Sequence, residues 1–352
     1  MNKNVIVIGT GWYGCHIALF LKSNGYDVTI IEKNSEIFDN SSFYNQNRLH
    51  LGYHYPRDFS TRNLCKYNYD KFNKIYSDVI DKIENNYYLI SNSSIIDYDT
   101  YEHIYKYEKF KFNIVKNKIF KNVNSNIIQV DEQVINSNKI KKIFSDELNK
   151  CNIPIIFNTE VLNVTNINSI VHVNCKNDKN FTCDMLLDCT YNQLGLSSEE
   201  YIYELTISLV FKRIRNTEFD AITIMDGKLF SLYPREIDKQ LFTLTDVEYT
   251  PIIKSKNYND IKNYIIKDDE IESIKIKMIN KCKLYYPDFE NDFEYQSYFI
   301  SKKTKKISES DSRDITIEEI DNNIISVNCG KIYGIFEFEE YIKSVIEKRE
   351  KI

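Results

Sequence analysis

The sequence has few glycines and prolines, nine and five in 352 residues, and a single tryptophan. Gly/Ser- or Pro-rich linkers are therefore absent, and any cluster of glycines carries information. No Cys-x-x-Cys pair occurs among the eight cysteines, which excludes a zinc knuckle and a thioredoxin-type redox pair. In a chain this long the cysteines do not read as a disulfide framework. They read as small buried hydrophobes in a reducing, cytoplasmic setting. No apolar run approaches the ~18 residues of a membrane helix, so no membrane insertion is expected. The start, MNKNVIVIG, enters a strand pattern almost at once and lacks the segments of a signal peptide. A net charge of -5 leaves no basic surplus for nucleic acid, and short runs such as Lys302–Lys303 read as solvated surface. The heavy use of Asn, Ile and Lys reads as nucleotide bias of the source genome.

Against that background three of the nine glycines fall within six residues, in GTGWYG. Gly9, Gly11 and Gly14 follow the apolar run VIVI and precede a helical pattern that Gly25 closes. A second apolar strand, DVTIIE, ends in Glu32, 18 residues after Gly14. Each glycine has its own physical task in a dinucleotide site. Gly9 permits the turn, Gly11 lets backbone approach a pyrophosphate, and Gly14 lets helix and strand pack closely. The helix start offers N–H groups and a positive dipole end to phosphate. Glu32 can accept hydrogen bonds from ribose hydroxyls, with Lys33 beside it.

Further along, helices are expected over 59–80, 138–150 and 258–282, and strands over 87–91, 127–135 and 185–190. From residue 203 the pattern turns to alternating and aromatic runs typical of an antiparallel sheet, with Asp226-Gly227 as a hairpin signal.

These elements, in this order, resemble the FAD-dependent D-amino-acid oxidase and glycine oxidase superfamily. The resemblance is specific over the first 33 residues and looser over most of the remaining chain. It implies an α/β chain: a Rossmann-type FAD-binding domain with an interleaved antiparallel β-sheet substrate domain. The FAD-binding domain would comprise 1–84, 127–200 and 307–352, and the substrate or cap domain 85–126 and 201–306. Val161 would take the adenine-side position and Thr190 the end of the MLLDCT strand, where the family's following Gly is Tyr191. Near the end, Arg313 matches the family's substrate-carboxylate Arg, although Asp314 stands where Pro is usual. Gly330, Lys331 and Ile332 match the turn that meets the flavin, where a cation or helix start would stabilise negative charge on the reduced ring.

The segment YNQNRLHLGYHYPR, Tyr44 to Arg57, resembles a subgroup of such oxidoreductases carrying NQxRxHxGYHYPR; so do CTYN, YELTISLV and GKI further along. Read as an alternating strand, it puts Gln46, Arg48, His50, Gly52 and His54 on one side, and Leu49, Leu51, Tyr53 and Tyr55 on the other. A flavin ring over the bare Gly52 would suit the polar side, so Asn45, Gln46, Arg48 and Gly52 are candidate cofactor contacts. His50, His54 and Tyr55 are candidate catalytic groups; Arg57 and Tyr233 are candidate substrate contacts. The histidines could instead hydrogen-bond the backbone of a long loop. Their i, i+4 spacing suits zinc only on a helix, which Gly52 and Pro56 oppose, so no metal is expected. His16 reads as a packed helix residue.

The expected function is oxidation of a C–H next to an amine or hydroxyl of a small, possibly sugar-related, substrate by hydride transfer to flavin N5. Two alternatives stay open. The end GKIYGIFEFEEYI is also similar to UDP-galactopyranose mutases, which would imply flavin chemistry without net redox change; or the chain binds FAD without catalysis.

Overall fold

The computed structural model describes residues 4–227, 229–307 and 314–350. The chain divides into two compact units, Met1–Phe43 with Ser137–Tyr203 and Lys303–Ile352, and Tyr44–Asn136 with Glu204–Lys302. Residues 44–84 and 127–136, expected with the nucleotide-type unit, group with the second one.

The first unit is layered around a six-stranded sheet. Its order is Thr316–Asp321, Ile324–Asn328, Met185–Asp188, Asn4–Ile8, Asp27–Ile31, Ile155–Ile156. All neighbours run parallel except the outermost hairpin, 316–321 with 324–328. The apolar run at the start is thus the centre of the sheet, with both faces covered, as a continuous hydrophobic strand requires. Ile6 and Ile8 pack toward Val161, Val171 and Val173 of a three-stranded antiparallel sheet, 161–167, 170–175 and 180–183. Val7 faces the opposite way, toward Gly14 on the helix Trp12–Ser23. That helix buries Cys15, Ile17, Ala18 and Leu21, of which Ile17 and Leu21 are each worth ~1.5–3 kcal/mol. The helix expected over 138–150 runs Ser137–Lys150, and its Phe144 meets Trp12 edge-on at 5.3 Å.

The second unit is built on a nine-stranded sheet of order 251–255, 201–213, 241–246, 230–236, 221–225, 86–90, 126–130, 113–116, with 293–306 beside 201–213. A hairpin forms, with Ala221–Met225 and Phe230–Glu236 paired antiparallel, but the strands are joined across 226–229 and not by Asp226-Gly227 alone. The sheet is mixed rather than wholly antiparallel, because 221–225 runs parallel to 86–90. On one face the helix Asp268–Tyr285 lays Met278, Cys282 and Tyr285 on Leu209, Phe211, Leu232 and Leu244. The helix expected over 258–282 is broken at 263–267. A new one starts with Asp268, Asp269 and Glu270, three acids that suit a helix N-terminus. On the other face the helix Tyr98–Tyr107, unrecognised in sequence, contributes Tyr98, Tyr101 and Tyr105 to a cluster with Tyr53, Tyr88 and Phe110.

The strand expected over 127–135 is two strands, Asn126–Val130 and Gln133–Ile135, with Asp131 and Glu132 between them. The second belongs to a small antiparallel sheet with Arg48–Leu49 and Ile80–Asp81. The break turns the chain from the large sheet to the small one and places Glu132 at the corner.

Candidate functional site

In the first unit the glycine turn has the geometry its residues imply. Gly9 has φ +98°, and a Cβ there would stand 2.9 Å from the Cys189 carbonyl oxygen. A Cβ on Gly14 would stand 1.9 Å from the Gly9 carbonyl oxygen, so only glycine lets the helix approach this closely. At Gly11 the space is taken by the Ser42 hydroxyl, 2.7 Å from where a Cβ would be. That hydroxyl accepts from the Trp12 N–H at 3.1 Å. Ser42 is a member of the turn that sequence reading missed. Gly11 caps the helix without a side-chain hydrogen bond, and the first turn holds no acid.

Glu32 is buried, and its two carboxylate oxygens divide their work. Oε2 accepts from the Thr10 N–H at 2.9 Å and the Thr10 hydroxyl at 2.6 Å; Oε1 accepts from the Asn34 N–H at 2.9 Å. The carboxylate thus ties the end of the second strand to the glycine turn. Lys33 donates to Gln193 Oε1 at 2.5 Å. Val161 opens the strand Val161–Ile167 and is buried.

Asp188 ends the strand next to the turn and is fully buried. Burial pushes its carboxyl above the usual range, against hydrogen bonds from the Thr190 N–H and the Ser326 hydroxyl, each 2.9 Å. The Thr190 hydroxyl accepts from the Gln193 N–H at 3.1 Å. Tyr191 and Asn192 follow with φ +64° and +56°, so a tyrosine adopts the left-handed backbone that the glycine of related sequences would take without cost. At the far end Lys331 presents its carbonyl to the Tyr13 hydroxyl at 2.6 Å, and its N–H to Cys329 Sγ at 3.4 Å. Gly330 is exposed, and Lys331 and Ile332 are half-buried at the approach to the helix Gly334–Glu350. His16 lies 2.8 Å from Glu339 of that helix and packs edge-on against Phe336. Arg313 lies outside the described residues.

In the second unit the segment 44–57 is not an extended alternating strand. Only Arg48–Leu49 is strand; 52–57 is a series of turns, with Tyr55 N–H donating to the Gly52 carbonyl. Gly52 has φ +122°, and the position of a Cβ there is closed by Arg62 and by Phe110, both within 3.2 Å. The glycine serves packing and backbone conformation, and it leaves no bare surface on that side. Tyr53 is fully buried among Tyr88, Tyr105 and Phe110.

Side chains from three other elements hold this loop by its backbone. Glu132 accepts from the N–H groups of Leu51 (2.6 Å) and Gly52 (3.2 Å). Tyr101 donates to the Tyr53 carbonyl, and Tyr105 to the carbonyls of Gly52 and Tyr53. Arg62 donates to the carbonyls of Tyr55 (2.7 Å) and Pro56 (3.1 Å) while its guanidinium pairs with Glu108. These hydrogen bonds satisfy the backbone groups of a loop that has no sheet partner beyond Arg48–Leu49. The loop's own side chains include His50, His54 and Tyr55, which the fold brings together: the imidazoles are 5.5 Å apart, and Tyr55 lies 5.5 Å from His50 and 5.2 Å from His54.

Arg48 is buried. Its Nη2 donates to the Tyr88 hydroxyl at 2.5 Å, which donates in turn to Glu132 Oε2 at 2.5 Å. Its guanidinium also lies over the Tyr233 ring at 4.6 Å. Burial works to lower the Arg48 pKa, but Tyr88, Tyr233 and Glu132 outweigh it and hold the cation above its ordinary value. Burial, chiefly, pushes the Tyr88 phenol well above its ordinary range.

Tyr233, expected on the substrate, is fully buried beneath Arg48, and its hydroxyl accepts from Asn86 Nδ2 at 2.9 Å. Gln46 is spent on the sheet: it donates to the carbonyls of Ser231 and Thr243 and accepts from the Ser231 hydroxyl. Asn45 accepts from the Asn47 N–H, and its carbonyl accepts from Arg235. Arg57 is half-exposed and grips Asp226 with Nε at 2.7 Å and Nη2 at 3.3 Å. Sequence reading missed Glu132 and Arg62. A charged residue inside an otherwise apolar strand pattern was the one available sign of Glu132. Among the described residues no cluster of three His, Cys, Asp or Glu side chains could hold a metal. No described helix is long and apolar enough to cross a membrane.

Residues 4–108 match the family model described as DAO, FAD dependent oxidoreductase. Over that stretch the chain is similar to FAD-dependent oxidoreductases of the DAO type. Relatives of similar length exist among fungal proteins. One is the FAD-dependent monooxygenase FPY4 of Fusarium mangiferae, 28% identical over 97% of this chain and 90% of that protein. Another is the FAD-dependent monooxygenase kojA of Aspergillus flavus, 24% identical over 97% and 85%. Among solved structures the fold is that of glycine oxidase from Geobacillus kaustophilus, with a TM-score of 0.77, 9% identity and coverage of 98% and 95%. It is also that of L-α-glycerophosphate oxidase from Mycoplasma pneumoniae with FAD bound, with a TM-score of 0.76, 12% identity and coverage of 98% and 94%. The geometry of the first unit fits FAD. An uncapped helix start with no acid in its first turn, beside the Ser42 hydroxyl, suits a pyrophosphate, and the Glu32 carboxylate suits a ribose.

Proposed function

We propose that this oxidoreductase oxidises a C–H next to an amine or hydroxyl of a small substrate, with His50 or His54 taking the neighbouring proton. Bound FAD supplies the hydride acceptor at N5. The glycine turn, the helix start and Glu32 would hold the dinucleotide, with Thr190, Val161 and the Gly330–Ile332 turn as further contacts of the first unit. On this reading the first unit is the FAD-binding domain. The observation that carries the reading is the pair of imidazoles 5.5 Å apart on a loop braced by Glu132, Tyr101, Tyr105 and Arg62. Imidazole is the side chain suited to proton removal near neutral pH, and a fixed position is what general-base catalysis needs. The named activities of the two structural neighbours, on an amine and on an alcohol, support the choice of substrate class. The eight cysteines, none of them in a disulfide, agree with a reducing cytoplasm as the place of action.

The test is anaerobic mixing of the FAD-loaded protein with panels of small amines, amino acids and sugar alcohols. Loss of absorbance near ~450 nm with one of them, and its abolition in a protein with both histidines changed to Ala, is expected. Failure of every substrate to bleach the flavin would remove the proposal. A second reading, oxygen insertion, is favoured by the names of the fungal relatives. It predicts that a reductant must be added and that label from ¹⁸O₂ appears in the product, whereas direct oxidation leaves the product unlabelled.

A further inference from the structure

Glu132 is fully buried, and no element carries it into a site by periodicity alone; the chain break between the strands 126–130 and 133–135 does so. Its Oε1 is used by the Leu51 and Gly52 N–H groups. Its Oε2 faces three groups: the Tyr88 hydroxyl at 2.5 Å, Arg48 Nη2 at 3.7 Å and His50 Nδ1 at 3.7 Å. The carboxylate thus receives two amides and a phenol and lies beside a guanidinium. The same carboxylate lies at ion-pair distance, 3.7 Å, from a buried ring nitrogen of His50.

We propose that Glu132 is a positioning residue for His50. Its carboxylate fixes the proton of the neutral imidazole on Nδ1, leaves the lone pair on Nε2, and stabilises the imidazolium once Nε2 has taken a proton. The inference rests on the assignment of a loop histidine as base and selects His50 over His54. The reason is electrostatic. A ring N–H lies favourably against an anion, and a bare lone pair does not, so the tautomer is decided by which nitrogen faces the carboxylate. Glu132 faces His50, and His54 and Tyr55 lie beside it on its own loop, while Arg48 and Tyr88 meet the same carboxylate oxygen, Glu132 Oε2. Arg48 opposes protonation of His50, and Glu132 favours it. Replacing the carboxylate by an amide therefore leaves the cation acting alone.

The experiment is ¹⁵N-histidine NMR on the FAD-loaded protein, with the His50 signals assigned by their loss in His50→Gln. In the wild-type protein neutral His50 is expected as the Nδ1–H tautomer. In Glu132→Gln its pKa is expected to fall by ~1–3 units, the range for losing an opposite charge within about 4–6 Å. Tyr88→Phe, which keeps the carboxylate, is expected to move it far less. An Nε2–H tautomer in the wild type, or an unchanged His50 titration in a folded Glu132→Gln protein, would overturn the proposal. If Glu132→Gln does not fold, the wild-type tautomer decides. If no substrate ever bleaches the flavin, the role of His50 as base fails, while the titration still reports whether Glu132 governs the imidazole. With a substrate in hand, the acidic limb of the kcat/KM profile is expected to follow the His50 pKa downward in Glu132→Gln.

Discussion

Gly14 and Gly9 are packed so closely that a Cβ on Gly14 would stand 1.9 Å from the Gly9 carbonyl oxygen. The obstacle is backbone, so no side-chain rotation can relieve it. Gly14→Ala is expected to cost about 3 kcal/mol or more by forcing the helix away from the turn. Thermal denaturation should show a midpoint lowered by several degrees, and the purified protein should carry little FAD, read as the ratio of flavin to protein absorbance. A variant that retains wild-type flavin content would show that the turn has another way to yield.

Glu32 holds Thr10 by both its N–H and its hydroxyl. An amide in its place keeps one acceptor oxygen and loses the charge. Glu32→Gln is expected to weaken FAD binding by roughly 10- to 100-fold, from a loss of about 1.5–3 kcal/mol in charge-assisted hydrogen bonding. Titration of apoprotein with FAD, followed by quenching of flavin fluorescence, measures it. Equal affinity would mean that the carboxylate only ties the second strand to the turn.

Arg62 is buried against Glu108 and the carbonyls of Tyr55 and Pro56. Arg62→Ala strands a largely buried carboxylate and two carbonyls. Breaking one half of such a pair typically costs about 3–5 kcal/mol. Hydrogen exchange followed by mass spectrometry should show the segment 50–57 opening far more readily than in the wild type. Exchange rates unchanged in that segment would mean that Glu132 and the two tyrosines suffice to hold the loop.

Asp188 has a carboxyl whose pKa is raised, chiefly by burial. A carboxyl raised in the folded state favours folding while it is protonated. That contribution is present below its unfolded pKa and is lost as pH rises through the folded value. Asp188→Asn removes the charge while keeping an oxygen for the Thr190 N–H. Its melting midpoint is expected to match the wild type near pH 4 and to exceed it at pH 7–8. A variant less stable than wild type at pH 8 would show that the Thr190 and Ser326 hydrogen bonds need the anion.

Several of these relationships were legible before any fold was known. The tasks of Gly9 and Gly14 follow from local geometry, because a positive φ and a helix-to-strand approach are demands on a few consecutive residues. The hairpin across 226–229 is local in the same sense. Composition also marked 44–57 as chemically rich. Its shape was misread because alternation of residue types was taken for a strand. Glu132, Tyr101, Tyr105 and Arg62 instead capture its backbone groups and make turns there stable.

The sequence by itself thus determined that a dinucleotide turn opens the chain and that two histidines sit on one short segment. Only the tertiary structure decided that Gly52 is closed off by Arg62 and Phe110, that Tyr233 is buried under Arg48, and that Glu132 meets a loop some eighty positions earlier. Periodicity reports which face of an element is apolar. It carries no information on which faces meet, and a buried charge finds its partners only when the chain has folded around it.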